Sequence, residues 1–161
     1  MQLREISEAE LSTTLSAHAI RLSLGEILGE VVDLSYADLS GHDLSGAELF
    51  DATCRQSDFT GTNLKGAQLQ FVNMSETKLI GTNISGACMY CADLRYANLD
   101  SLLGWLVVDN WKVANLWGAV NAPQRFMDWA VEQKGAVCIE EEERWHDAIR
   151  NEWMGRPYDQ S

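Results

Sequence analysis

The middle of the chain carries an apolar residue at every fifth position. The series begins at Leu34 and ends at Leu99, and its fourteen members follow one another without a gap. Since 46% of all residues are hydrophobic, chance would give fourteen consecutive hits at roughly 2 × 10⁻⁵ per register. A period of five fits neither the 3.6 residues of a helical turn nor the two-residue alternation of a flat strand. The pattern therefore predicts another regular shape for residues 32–101.

The glycines indicate what that shape is. They recur in pairs, two residues after an apolar centre, at Gly41 and Gly46, Gly61 and Gly66, and Gly81 and Gly86. Glycine at one phase marks a backbone position with positive φ, as in a type II turn. The resulting 20-residue period predicts a square solenoid with four five-residue segments per coil, two glycine corners and two non-glycine corners. The residue two positions before each apolar centre is mostly small and faces inward. His42 is the bulky exception, and we expect a local distortion there.

Four of the five-residue units share a signature: Ala37-Asp-Leu-Ser-Gly, Thr62-Asn-Leu-Lys-Gly, Ala92-Asp-Leu-Arg-Tyr and Ala97-Asn-Leu-Asp-Ser. They resemble the A-(D/N)-L-x-x unit of the pentapeptide repeat proteins. The resemblance covers residues 32–101 and implies an all-β solenoid, a right-handed quadrilateral β-helix. Fourteen units at four per coil give about 3.5 coils. Fold alone does not assign a function.

Helices are expected on both sides of the solenoid. Ser7 and Glu10 have the spacing of a capping box, and an apolar stripe follows it, so residues 1–31 are predicted to form an N-terminal capping helix ended by Gly25 and Gly29. His18 is interpreted as a partly buried residue of that helix. The repeat register fails after Ser101, and residues 102–113 are predicted as an apolar loop or irregular coil.

The rest of residues 102–161 is predicted as one irregular repeat at Ala114 followed by a helical cap. The first helix should run from Ala122 to about Lys134, with Asn121 as its cap and Gly135 as its stop, and the second from Glu140 to about Met154. The second helix carries an apolar stripe, Trp145, Ile149 and Trp153. This stripe either docks on the chain's own C-terminal end or forms a dimer contact, so a monomer and a C-terminal homodimer both remain open.

Charge narrows the possible partners. Lys plus Arg number 12 and Asp plus Glu number 24, which gives a formal net charge of −12. Nucleic acid and anionic lipid repel such a chain, so neither direct nucleic-acid binding nor membrane binding is expected. Between residues 32 and 58 only Arg55 opposes six acids, namely Asp33, Asp38, Asp43, Glu48, Asp51 and Asp58. Between residues 59 and 101 acids and bases balance. With neither a signal-type apolar run nor an 18-residue apolar stretch, we expect a cytoplasmic protein.

Catalytic chemistry is not indicated. The three histidines lie in three different segments, and none has a nucleophile placed beside it by the repeat. Cys88 and Cys91 are not followed by further ligands at metal-site spacing, and the repeat explains both as outward corner positions. We therefore expect a protein that is not an enzyme and has neither a cofactor nor a metal.

Aromatic residues indicate where a partner could bind. Phe50, Phe71 and Tyr90 fall at one outward corner in three successive coils. The fold does not require aromatics there, so either another segment covers them or a partner does. One hypothesis is a protein–protein interaction module that uses these residues and the six acids of the first coil.

The alternative hypothesis is an acidic DNA mimic. The resemblance implies it, because some pentapeptide repeat proteins, including quinolone-resistance proteins, bind DNA gyrase or topoisomerase IV in place of DNA. Such a mimic would recognise a DNA-binding protein with a basic groove, in a defence or anti-defence role if that protein is not a topoisomerase. A rod of 3.5 coils is only ~17 Å long, however, which matches about five base pairs.

Overall fold

A computed structural model describes residues 2–23 and 31–155 of the protein. Its regular elements are short and follow one another in the order β1 (Arg4–Glu5), α1 (Glu8–Ser23), β2 (Ala37–Asp38), a 3₁₀ turn (Trp105–Val107), α2 (Phe126–Lys134) and α3 (Glu142–Trp153). Between β2 and the 3₁₀ turn, the backbone is organised by single β-bridges instead of long strands.

These bridges join residues that lie 20 positions apart. The first is Asp33 with Thr53 and the last at this spacing is Asn83 with Leu103, and all are parallel. Each coil therefore has four bridging faces, which we number 1 to 4 by their first residues, Asp33, Asp38, Asp43 and Glu48. The period of this ladder is the one that the glycine pairs predict.

All four corners of each coil use a left-handed backbone. The glycine corners have positive φ, for example 70° at Gly41, and so do the non-glycine corners, for example 61° at Tyr36 and 60° at Phe71. A left-handed conformation costs an L-residue about 1–2 kcal/mol. Bonds between coils offset this cost, since the Phe71 backbone N–H donates to Tyr90 O at 2.9 Å. The two kinds of corner therefore differ in residue type and not in backbone conformation.

The inside of the coil is filled by the apolar centres and the small residues. Leu34, Phe59 and Leu69 are fully buried. The Thr62 hydroxyl, at a small inward position, donates to Leu39 O at 2.7 Å, so this buried polar group is satisfied. His42 keeps the regular backbone bonds of the repeat, and the distortion expected there does not occur in them. Its half-buried ring instead turns towards Glu8 of α1, with 3.6 Å between the nearest nitrogen and oxygen.

The N-terminal segment adds a rung that the repeat pattern does not contain. β1 pairs in parallel with β2, Arg4 with Ala37 and Glu5 with Asp38. At the start of α1, the Ser7 hydroxyl oxygen accepts from the Glu10 backbone N–H at 3.2 Å, which is one half of the predicted capping box. The glycines expected to end this helix lie outside the described residues.

The β-ladder continues past residue 101, where the sequence pattern places its end. Cys88 bridges Asn110, Asn98 bridges Val120 and Asn115 bridges Val137, now at a spacing of 22. The extra residues lie at the 3₁₀ turn after Gly104, whose φ is 75° and where a Cβ would clash with Ser85. Residues 102–113, for which the sequence left a loop or an irregular coil open, therefore continue the ladder as a coil that is two residues longer. The ladder of face 1 has six rungs and spans about 24 Å, so the estimate of 3.5 coils falls short.

The C-terminal helices pack on two different parts of the rod. α2 begins at Phe126, later than predicted, because Asn121 still occupies a left-handed corner with φ 56°. It ends at Lys134 and is capped by Gly135, whose backbone N–H donates to Ala130 O. Phe126 is fully buried against the rings of Trp105 and Trp111 at the end of the rod. α3 instead runs along the side of the rod, at the corner between faces 4 and 1.

Candidate protein-interaction surface

The six acids between residues 32 and 58, five in the first coil and Asp58 at the start of the second, do not form one surface. Steps of five residues move from one face to the next, so Asp33, Asp38, Asp43 and Glu48 lie on four different faces. Asp58 stacks on Asp38 on face 2, and its carboxylate pairs with the Lys78 ammonium at 2.8 Å. Asp51 lies at the corner between faces 4 and 1. The negative charge therefore forms a ring around the first coil.

Most of these acids also have a role in the turns. Asp38 Oδ1 accepts from the backbone N–H of Ser40 at 3.0 Å and from its hydroxyl at 2.6 Å. Hydrogen bonds from serine side chains and backbone N–H groups hold the pKa of Asp33, Asp38 and Asp43 below its usual range. Asn63 accepts the same kind of backbone bond, so the turn does not require a negative charge. Within the described chain, Glu48 and Asp51 make no side-chain hydrogen bond or ion pair.

Three aromatic side chains meet at the corner between faces 4 and 1. The ring of Phe71 contacts that of Phe50 edge-on at 5.5 Å and that of Trp153 at 5.8 Å between centroids. Phe50 is 38% exposed and Trp153 68% exposed. We call Phe50, Phe71 and Trp153 the aromatic patch. Tyr90 also contacts Phe71 at 5.5 Å but packs beneath α3, and partial burial raises the pKa of Tyr90 to about 12.

The stripe of α3 divides between the rod and the surface. Trp145 is buried, its indole N–H donates to Val113 O at 2.9 Å, and the Arg95 guanidinium lies 5.3 Å from its ring centroid. Ile149 packs on the same cluster. Two of the three residues considered as dimer contacts therefore pack against the chain's own rod, and Trp153 joins the aromatic patch.

A groove of about 350 Å³ separates α3 from face 1. We call it the α3 groove. The rod contributes Asp51, Phe71, Asp93 and Arg95 to it, and the helix contributes Glu142, Trp145, His146 and Trp153, among others. Asp93 is buried and binds Arg95 at 2.7 Å, whereas Asp51 is exposed.

The two neighbouring cysteines have different surroundings. Cys88 lies on face 4 rather than at a corner, and Cys91 lies at a corner, where α3 covers it and burial raises the pKa of its thiol to about 12. Among residues 2–23 and 31–155, no three His, Cys, Asp or Glu side chains are grouped as metal ligands. None of the helices in these two ranges is long and apolar enough to cross a bilayer.

The groove residues Asp93, Arg95 and Glu142 were not predicted from the sequence. A signal for them exists in the repeat, because Phe71, Cys91 and Val113 stand above one another at a single corner. An apolar column at an outward position indicates that another element covers it. In the structure, the amphipathic helix α3 covers this column.

Residues 32–66 and 63–100 match the family model described as pentapeptide repeats, with eight copies. The comparison with curated proteins gives no match to the chain. Among solved structures, the chain is similar to the pentapeptide repeat protein Rfr23 from the cyanobacterium Cyanothece 51142. The identity is 32% over 45% of this chain and 50% of that one, with a TM-score of 0.45, so the chain spans half of that protein's length.

Two further structures cover more of the chain at lower identity. The first is QnrB1, a plasmid-mediated fluoroquinolone resistance protein, with 18% identity over 78% of this chain and 70% of that one and a TM-score of 0.39. The second is a pentapeptide repeat protein from the thylakoid lumen of Arabidopsis thaliana. It is 22% identical over 75% of this chain and 90% of that one, with a TM-score of 0.32.

Proposed function

We propose, from the premise that residues 32–100 are pentapeptide repeats, that this protein is a non-enzymatic module that binds another protein. The observation that carries the proposal is the aromatic patch, in which exposed Phe50 lies near Glu48 and exposed Trp153 shares a groove with Asp51. Aromatic side chains are enriched at the cores of interfaces, and a few such anchors supply most of the binding energy. The acids beside them favour a partner with a basic surface.

The backbone beneath the patch is held in place. Phe50 O is bonded to the buried His18 of α1 at 3.0 Å, and the backbone N–H groups of Asp51 and Phe71 both bond the next coil. Phe71 is held among three aromatic neighbours, Phe50, Tyr90 and Trp153. Binding would therefore order few side chains, which lowers its entropic cost.

The DNA-mimic alternative has less support from the geometry. A mimic needs a long negative surface, but the acids of the first coil encircle the rod. On face 1, the two residues that follow Asp33 are the uncharged Thr53 and Asn73. At about 24 Å the rod matches about seven base pairs. A gyrase supercoiling assay with and without a fluoroquinolone separates the two functions. Inhibition or drug protection at micromolar protein would favour mimicry. The absence of both effects would exclude topoisomerase mimicry.

Affinity capture from host lysate tests the interaction module. The wild-type protein should enrich a partner, and Phe50→Glu should lose it because a charge replaces an interface anchor. Leu103→Glu is the matched control, since Leu103 is 53% exposed on face 3, which does not border the patch. Equal capture by both variants would contradict the proposed surface. Urea unfolding of each variant checks that the fold is retained.

A further inference from the structure

At the end of the α3 groove beside Trp145, which we call the inner end, the guanidinium of Arg95 lies between a carboxylate and an aromatic ring. Arg95 donates to Asp93 from Nε at 3.0 Å and from Nη2 at 2.7 Å, and its guanidinium lies over the Trp145 ring. This combination of a two-point carboxylate bond and a cation–π contact is a strong way to fix a guanidinium. The groove therefore already binds one cation of the chain itself, the Arg95 guanidinium.

The opposite end of the groove, beside Trp153, also offers a carboxylate and aromatic rings, and we call it the outer end. Asp51 occupies the corner one coil before Phe71, so about 4.8 Å of rod separates their backbones. Phe71 and Trp153 supply ring faces and edges, and all three residues line the same groove. In residues 2–23 and 31–155, no Lys or Arg is paired with Asp51, and the one arginine among the groove-lining residues is engaged by Asp93.

We propose that the outer end of the α3 groove binds a lysine or arginine side chain from a basic segment of the partner protein. The inference rests on the proposed function, and it adds the chemistry of the contact. The Asp51 carboxylate would pair with the cation, and the aromatic rings would pack against its alkyl stem and charged head. Exposed Glu48, on the neighbouring face 4 beside Phe50, adds to the negative potential around this end, whereas Glu142 lies at the inner end near Arg95. A groove of about 350 Å³ lies at the small end of ligand sites, which suits one side chain.

Calorimetric titration with a tetra-arginine peptide tests the inference, and a tetra-citrulline peptide of the same length is the neutral control. The wild-type protein should bind tetra-arginine and not tetra-citrulline. Asp51→Asn and Trp153→Leu should each lower the association constant about two- to fivefold, as expected for one exposed ion pair or one cation–π contact. Asp128→Asn removes the same charge from an exposed site on α2 and should leave the constant unchanged.

Three outcomes would overturn the proposal. The first is that tetra-arginine binds no better than tetra-citrulline, and the second is that it binds all variants equally. The third is that spermidine binds more tightly than the peptide with the same dependence on Asp51, because the site would then serve a free polyamine. As a local check, the Trp153 indole N–H resonance should shift with tetra-arginine in the wild type and much less in Asp51→Asn.

The partner experiment keeps this inference separate from the proposed function. If Phe50→Glu loses the partner and Asp51→Asn captures it with wild-type affinity, the interaction module stands and the cation site falls. If Phe50→Glu keeps the partner, the proposed surface itself is wrong. Loss of the partner with Phe50→Glu and a two- to fivefold weaker capture with Asp51→Asn support both.

Discussion

Asn115 connects the last coils of the rod to the segment that leads into α3. Its side chain is fully buried. Nδ2 donates to Ile139 O at 2.7 Å, and Oδ1 accepts from the backbone N–H groups of Ile139 at 3.1 Å and Trp117 at 3.1 Å. One amide therefore satisfies both backbone groups of a residue that lies 24 positions further along the chain.

Asn115→Ala should be costly because it leaves those groups without partners. Each buried backbone group of Ile139 that loses its bond costs about 1–3 kcal/mol, and the bond from Trp117 adds about 1 kcal/mol. The expected loss in the free energy of unfolding is about 3–7 kcal/mol. Domains of this size are stable by about 5–15 kcal/mol, so the variant should be close to unfolding.

Urea unfolding followed by circular dichroism measures this loss, and Asn83→Ala is the matched control. Asn83 occupies the same repeat position on face 3, but its Oδ1 accepts only from Ser85, at 3.1 Å from the backbone and 2.7 Å from the hydroxyl, in a half-buried site. Its replacement should cost about 1 kcal/mol. The reasoning would be refuted if the two variants differed by less than about 0.5 kcal/mol.

Three other predictions concern the rod. Leu69→Ala should lower the unfolding free energy by about 2–5 kcal/mol, and Leu69→Asp should abolish the folded circular dichroism signal, since Leu69 is fully buried; a folded Leu69→Asp variant would show that the register is wrong. In Gly81→Ala the new methyl group would meet no atom within 4 Å, but the residue has φ 64°. The cost of a left-handed alanine, less the gain from a more restricted unfolded chain, predicts a loss of about 1 kcal/mol in the free energy of unfolding. An unchanged urea midpoint would contradict the corner geometry. The pKa of Asp38 is lower in the folded state than the 3.8 of the free side chain, so its contribution to the free energy of unfolding is fully present above pH 3.8 and is lost as pH falls through the folded pKa. Asp38→Asn should therefore lose less stability than the wild type in an acid titration. Identical wild-type and variant profiles would exclude this role.

The period of the solenoid could be predicted from the sequence because one physical rule repeats at every step. An apolar side chain must enter a narrow core every five residues, and the glycine pairs mark the coil. The end of the rod could not be read in the same way. Two extra residues at the 3₁₀ turn after Gly104 shift the register, so Ala114 and Asn115 look like an isolated unit although Asn115 continues the ladder of face 1.

The candidate surface was predictable only in part. Counting in twenties brings Phe50, Phe71 and Tyr90 to one corner, and the ring of Phe71 contacts the other two edge-on there. Counting in fives also distributes the first-coil acids over four faces, a consequence that the total charge conceals. The position of α3 depends on tertiary packing of Trp145 against Val113, which lies 32 residues away, and no local pattern contains that information.

Hydroxyl-radical footprinting of the complex with the captured partner tests the central claim most directly. The side chains of Phe50 and Trp153 are accessible in the free protein, as are Tyr96 at 52% and Leu106 at 61% exposure on other parts of the rod. The account predicts that the partner protects Phe50 and Trp153 and leaves Tyr96 and Leu106 reactive. Protection of Tyr96 and Leu106 with unchanged reactivity of Phe50 and Trp153 would contradict it.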